Sequence, residues 1–119
     1  MHELSIALSI VDLASEEAER RGGVEVRSIH LRLGPLSGVV TEALLSAWEL
    51  AADGSAVAGS RLVVEEVPVV VFCPTCRDRR QLASVQHFCC PDCGTPTPEV
   101  VSGRELEVFA MEIVEEVVE

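Results

Sequence analysis

Lysine and tyrosine are absent from the chain, tryptophan occurs once, and phenylalanine and histidine occur three times each. Each shortage excludes something. Nine basic residues, all arginine, face twenty acidic ones, for a formal net charge of −11. Nucleic-acid binding rests on cations set against phosphates, so that function class is disfavoured. With so few aromatics the core must be aliphatic, built on Val, Leu, Ile and Ala, and an apolar share of 48% is ample for it. No apolar stretch approaches the roughly 18–20 residues that span a bilayer. The first residues lack the basic leading segment of a secretory signal, and Asp12 interrupts the apolar run. A soluble, cytoplasmic protein with no membrane or nucleic-acid partner is expected. There is no His-rich open site, phosphate loop or G-x-S-x-G turn, so no enzyme is expected either.

At 119 residues, one globular unit or a small domain carrying an inserted module is expected. LSIALSIVDLASEEAERR places Leu4, Ala7, Leu8, Val11, Ala14 and Ala18 at helical spacing, with Ile6, Ile10 and Leu13 widening the stripe. This predicts a helix buried over much of its circumference and stopped at Gly22-Gly23. VEVRSIHLRLG alternates Ile29, Leu31 and Leu33 against His30 and Arg32, a period-2 strand. After the loop LGPLSGVV, Thr41 is placed to cap a second helix with Leu44, Leu45 and Trp48 facing inward. DGSAVAGS reads as a flexible connector, and RLVVEEVPVVVF as one strand or two, broken at Pro68. GRELEVFAMEIVEE supplies a last strand, whose alternation alone does not decide which face is inside. The expected fold is α+β: a small three-stranded sheet with two helices on one face, plus an inserted zinc-ribbon module. The expected division is residues 1–68 with 100–119 against 69–99.

All five cysteines lie between positions 73 and 93. Cys73-Pro-Thr-Cys76 and Cys90-Pro-Asp-Cys93-Gly94 are two C-x-x-C turns, thirteen residues apart. Such a turn points two thiolates the same way, and two turns supply the four sulfurs of the closed tetrahedron that structural zinc prefers. The spacing is slightly short of the usual window of roughly 15–20 but long enough for a ribbon hairpin. Disulfides and a rubredoxin-like iron site are the alternatives at this point. Cys89 is left as a free or adjacent thiol, because replacing Cys90 by it would lose the proline-containing knuckle. With four protein ligands no position remains for a substrate, so the metal would be structural.

The chain opens MHELS. A terminal amine at Met1, the amide nitrogen of His2 and its imidazole form fused chelate rings in one plane, the geometry favoured by nickel(II) and copper(II). The bulk of His2 discourages removal of Met1. The first N–H groups of a helix lack intrahelical acceptors, so deprotonating one of them breaks no helical hydrogen bond. Glu3 is placed either to bind the ion or to accept from the imidazole. A fourth planar donor is open, and His87 in the ribbon loop is the candidate, since only His30 and His87 remain.

MHELS, LGPLSGV, the paired C-x-x-C segment with CPDCG, and SGREL together resemble the HypA/HybF family of hydrogenase-maturation proteins, essentially end to end. The resemblance implies a non-enzymatic nickel metallochaperone. Ni(II) would be bound through His2 and its backbone neighbourhood with Glu3 tuning the site, and structural Zn(II) by Cys73, Cys76, Cys90 and Cys93. It also implies two partners, a GTPase accessory protein for nickel insertion and the large-subunit precursor of a nickel–iron hydrogenase, with urease maturation served by some relatives. Arg77 departs from the glycine common after a first knuckle, and Cys89 adjoins a ligand. The competing reading is a zinc-ribbon module that binds protein or nucleic acid, through Arg77, Arg79 and Arg80 beside Phe72 and Phe88.

Overall fold

Two sheets, joined where two glycines touch, organise the computed structural model, which describes residues 2–114. The order of elements is α1 (Glu3–Arg20), β1 (Glu25–Leu33), α2 (Thr41–Ala52), β2 (Arg61–Glu66), β3 (Val70–Cys73), β4 (Asp78–Gln81), β5 (Glu99–Ser102) and β6 (Leu106–Val114). The first sheet runs β2-β1-β6 and the second β4-β3-β5. A radius of gyration of 18.2 Å exceeds the roughly 13 Å of a compact domain of this size, as two separate lobes require.

β1 is central, parallel to β2 and antiparallel to β6. A parallel pair needs a crossover, and α2 supplies it. One aliphatic core lies between the helices and one face of this sheet. Ala7, Val11 and Ala14 of α1 meet Ile29 and Leu31 of β1 and Leu44 and Trp48 of α2. Small residues on α1 let the two helices pack closely. Gly22 and Gly23, at φ +90° and +80°, end α1 as expected, and the Gly23 N–H returns to the Ala18 carbonyl at 2.9 Å.

The buried stripe of α1 is narrower than its apolar pattern: Leu4, Leu8 and Leu13 are exposed, as is Leu45 on α2. α2 begins at Thr41, but Val40 is its cap residue and no side chain caps it. The Thr41 hydroxyl instead donates to Glu66 at 3.5 Å. The segment read as a flexible connector is a run of turns, because Val57 is fully buried in the core. There the Trp48 indole N–H donates to the Ser60 carbonyl at 3.0 Å. The break at Pro68 separates β2 and β3 into different sheets. The last strand resisted a choice of face because the pairing shifts between His30 and Leu31. Phe109 is the extra residue of that bulge, so both Val108 and Met111 reach the core face.

β5 pairs with β3 and straddles the expected boundary at 99/100, so the second sheet draws on residues through Ser102. Its own core is small: Val69, Val71 and Leu82, with Leu36, Phe88 and Val100 packed against them. Leu36 belongs to the loop after β1, and thus seats the second lobe on the first. The joint is made of backbone. Gly34 N–H donates to the Glu105 carbonyl at 2.8 Å, and Leu36 N–H to the Gly103 carbonyl at 2.8 Å. A Cβ on Gly34 would overlap the Gly103 carbonyl, and Gly103 sits at φ +119° against Val69. The LGPLSG and VSGRE stretches are therefore two halves of one joint. Gly34→Ala is expected to destabilise the protein by at least about 3 kcal/mol, measured by urea unfolding, whereas Gly54→Ala, with open space around it, loses only the strain of its positive φ.

Candidate metal centres

The second lobe brings Cys73, Cys76, Cys90 and Cys93 together, their sulfurs all within 4.8 Å of one another. Cys73 Sγ lies 3.5 Å from Cys93 Sγ, and Cys76 Sγ 3.9 Å from Cys90 Sγ. A disulfide would require about 2.05 Å, and all five cysteines are free. Four sulfurs around one ion at about 2.3 Å define a tetrahedron with edges of about 3.8 Å, so the arrangement fits a single tetrahedral metal. Cys89 is exposed and outside the group.

The two knuckles have one design. Arg77 N–H donates to the Cys73 carbonyl and Gly94 N–H to the Cys90 carbonyl, both at 2.8 Å. Each closing residue has a positive φ, +77° at Gly94 and +55° at Arg77. Arg77 thus occupies with a side chain the position that glycine fills in the other knuckle. The Cys76 N–H points at Cys73 Sγ, 3.3 Å away. Arg80 fastens the knuckles to each other: its Nε is 2.7 Å from Asp92 in the second, and its NH1 3.2 Å from Asp78 beyond the first. Asp78 is held below the usual carboxylate range by the Arg79 backbone N–H first and by Arg80 second.

Charge within the cluster is uneven. The Thr95 hydroxyl, then the Thr95 backbone N–H, draws the Cys93 thiol down to about 6. Cys76 is pushed up to about 12, first by its hydrogen bond with Cys93 and next by that with Cys73. Cys93 is therefore the more readily ionised of the two and Cys76 the more reluctant.

The residues at the chain's beginning are arranged differently. His2 is the cap residue of α1, at φ −90° and ψ 90°, and its side chain makes no capping bond. Its imidazole is exposed. Glu3 is engaged: its carboxylate accepts the Val40 N–H at 3.3 Å, so the start of α1 holds the otherwise uncapped start of α2. Met1 lies outside the described residues. His87 is exposed in the loop after β4, and its neighbour Phe88 packs on the small core that includes Leu36. The four cysteines are the only convergent donor group among the described residues, so His2, Glu3 and His87 are not gathered here into one. His30 is bound to Ser28, Oγ to Nε2 at 3.1 Å, on the sheet face away from the helices.

The sequence model described as "Hydrogenase/urease nickel incorporation, metallochaperone, hypA" matches residues 1–113. The chain belongs to the HypA family. The hydrogenase maturation factor HypA of Chloroflexus aggregans is 47% identical over 112 residues, covering 94% of this chain and 98% of the relative. That of Roseiflexus sp. strain RS-1 is also 47% identical, with 94% and 91% covered. The solution structure of the Ni metallochaperone HypA from Helicobacter pylori matches with a TM-score of 0.66 at 21% identity, covering 98% of this chain and all of that one. A second solution structure of HypA protein gives 0.71 at 21% identity, with 98% of each chain covered. At that identity the likeness establishes the fold.

Three supports of the two HypA regions were not read from the sequence: the Glu3 bond to α2, the Arg80–Asp92 tie and the Thr95 bond to Cys93. Only the spacing of Thr95, two residues past a ligand, was a visible signal.

Metal binding requires thiolates, so it must displace the Cys76 proton, and affinity falls with acid. Cys93 gives up no proton above about 6 but must do so below it. Competition titrations with a chelator are expected to show log affinity falling more steeply below pH 6, by about one proton. Thr95→Val is expected to move that break upward. Arg77→Gly is expected to stabilise the metal-loaded protein by about 0.5–1 kcal/mol, read as a higher thermal midpoint.

Proposed function

We propose that this HypA-family chain is a nickel metallochaperone that takes up Ni(II) at its N-terminus and delivers it for assembly of a nickel–iron hydrogenase active site. Zn(II), in this reading, is held structurally by Cys73, Cys76, Cys90 and Cys93. The observation that carries the reading is the state of His2. Its imidazole is exposed and makes no capping bond at the start of a helix, in a chain of a nickel-incorporation family.

The chemistry follows from that position. The first-turn N–H groups have no helical acceptor, so the His2 amide can exchange its proton for the ion without loss to α1. The Met1 amine and the His2 imidazole complete the fused rings. Glu3 either turns from Val40 to the ion or stays as the brace that keeps α1 beside α2. His87 is the proposed fourth planar donor, brought in by movement of its loop. An exposed site of this kind favours handover, since an incoming donor can replace one ligand at a time. Protonation of the imidazole or the amide weakens it, so acid releases the nickel.

The fully cysteine-ligated centre leaves no open position, which supports a structural role for it. The small core of the second lobe, with three buried side chains, also suits stabilisation by a bound ion. In this reading residues 1–68 with 100–119 take the nickel and 69–99 hold the zinc, with β5 shared between them. The partners would be a GTPase that promotes nickel insertion and the precursor of the hydrogenase large subunit, in the cytoplasm. Urease maturation is a second destination. The protein would act by transfer and not by catalysis.

Nickel titration of the zinc-loaded protein with its native, untagged N-terminus tests the reading. About one nickel per chain is expected, with loss of at least about tenfold in affinity in His2→Ala while the zinc content stays unchanged. Equal binding by both proteins would overturn it. His87→Ala is expected to alter the nickel absorption spectrum, and an unchanged spectrum and affinity would remove His87 from the ligand set.

A further inference from the structure

The helical layer leaves one flank of the first sheet uncovered. β6 is an edge strand, paired with β1 on one side and with nothing among the described residues on the other. Between this edge and α1 lie two cavities of about 440 and 400 Å³. Both are lined by Leu13 and Val108, so they form one groove along the strand. Ile6, Ile10 and Leu13, at helical spacing, make the α1 wall, and Leu106, Val108 and Met111 the other.

Edges are normally blunted with charged side chains, proline, bulges or a covering element. β6 has a bulge and the two carboxylates Glu107 and Glu112 but no cation and, among the described residues, no cover. LEVFAMEIV contains no Lys and no Pro. The bulge at Phe109 interrupts the edge, and Ala110–Val114 continues beyond it with no extra residue of its own, a second register shift there being carried by Arg27 of β1. Leu13 is 53% exposed, Leu106 41% and Phe109 38%. Open backbone N–H and C=O groups on one strand are satisfied by another strand.

Charge indicates which kind of strand. The register places Ile113 and Met111 opposite Val26 and Ile29 on the core side, so Glu112 points to the open face. Glu107 is on that face too, 3.6 Å from Arg32. Glu16 stands at the groove's far end, where Arg20 and Arg21 both bind Glu17. No ion pair among the described residues neutralises Glu16 or Glu112. A strand added here alternates its side chains between groove and open face, so an apolar–basic alternation matches both. A second copy of the chain does not fit: its β6 brings Glu107 and Glu112 with no cation, and each copy has a net charge of −11.

We propose that the free edge of β6 and the groove beneath α1 form a docking site for an extended segment of a partner protein in which apolar and basic residues alternate. The segment adds a fourth strand beside Ala110–Val114, its apolar side chains entering the groove and its basic ones facing Glu107 and Glu112. The site lies on the strand that leaves the joint with the second lobe.

The test uses the isotope-labelled, zinc-loaded full chain and three synthetic peptides of about seven residues: alternating Val and Lys, alternating Val and Glu, and the Val–Lys peptide with alternate backbone amides methylated. Amide shifts and hydrogen exchange are read by NMR. The Val–Lys peptide is expected to shift the Ala110–Val114 amides and slow their exchange. Methylation, Leu13→Glu and Glu112→Lys are each expected to weaken binding by at least about tenfold, with no binding of the Val–Glu peptide. Equal binding of the methylated peptide would show charge attraction without strand addition and overturn the proposal. So would shifts spread over the whole surface, or no binding of the Val–Lys peptide. Concentration-dependent protection of β6 without any peptide would assign the edge to a second copy instead.

Discussion

Everything else in this molecule hangs on two peptide groups lying against each other without side chains between them. Gly34 and Gly103 approach so closely that a Cβ on the first would overlap the carbonyl of the second. Three crossings of the chain meet there. The end of β1 enters its loop, β2 gives way to β3 at Pro68, and β5 gives way to β6 at Gly103. Hydrogen bonds from Gly34, Leu36 and Ser102 tie them together. Because the contact is backbone to backbone, it transmits position without the play of rotamers. It sets the register of β6 against β1, and through Leu36 it seats the small core of the second lobe. A lobe with three buried aliphatic side chains of its own has little else to orient it.

Within that lobe the ordering principle changes from burial to ligation. The two knuckles impose the same turn on Cys73–Arg77, which closes the β3–β4 hairpin, and on Cys90–Gly94 between β4 and β5. The four sulfurs converge where these turns meet. Arg80 holds the faces together by reaching from β4 to Asp92. The polar setting distributes charge unequally, leaving Cys93 easily ionised and Cys76 reluctant. Metal binding and folding of this lobe are one process in such an arrangement.

The first lobe has the opposite economy. Its aliphatic core is the larger one and joins both helices to one face of the sheet. His2 has no structural duty at the start of α1, while Glu3 next to it has one, bracing α2. An exposed imidazole thus stands beside an engaged carboxylate at the start of α1. The flank along β6 is uncovered among the described residues, because α1 packs on β1 and α2.

Features that depend on local spacing were legible in the chain before any fold was known. Helical and alternating periods placed α1, β1, α2 and the last strand, and C-x-x-C twice named the four thiolates and set Cys89 aside. The motifs that carry the HypA resemblance were legible for the same reason: they are short and contiguous. Only the tertiary structure decided what depends on contacts between distant segments. Leu8 and Leu13 have the pattern of core residues but are exposed, because a three-stranded sheet is too narrow to cover that much of a helix. Val57 looked like part of a linker but is buried, since Trp48 and Ser60 fold the connector inward. The bulge at Phe109, the β5 pairing, the contact of Gly34 with Gly103 and the reach of Glu3 to Val40 all join residues far apart in the chain. Nothing in local periodicity encodes such pairings; they emerge when backbone groups removed from water find their partners.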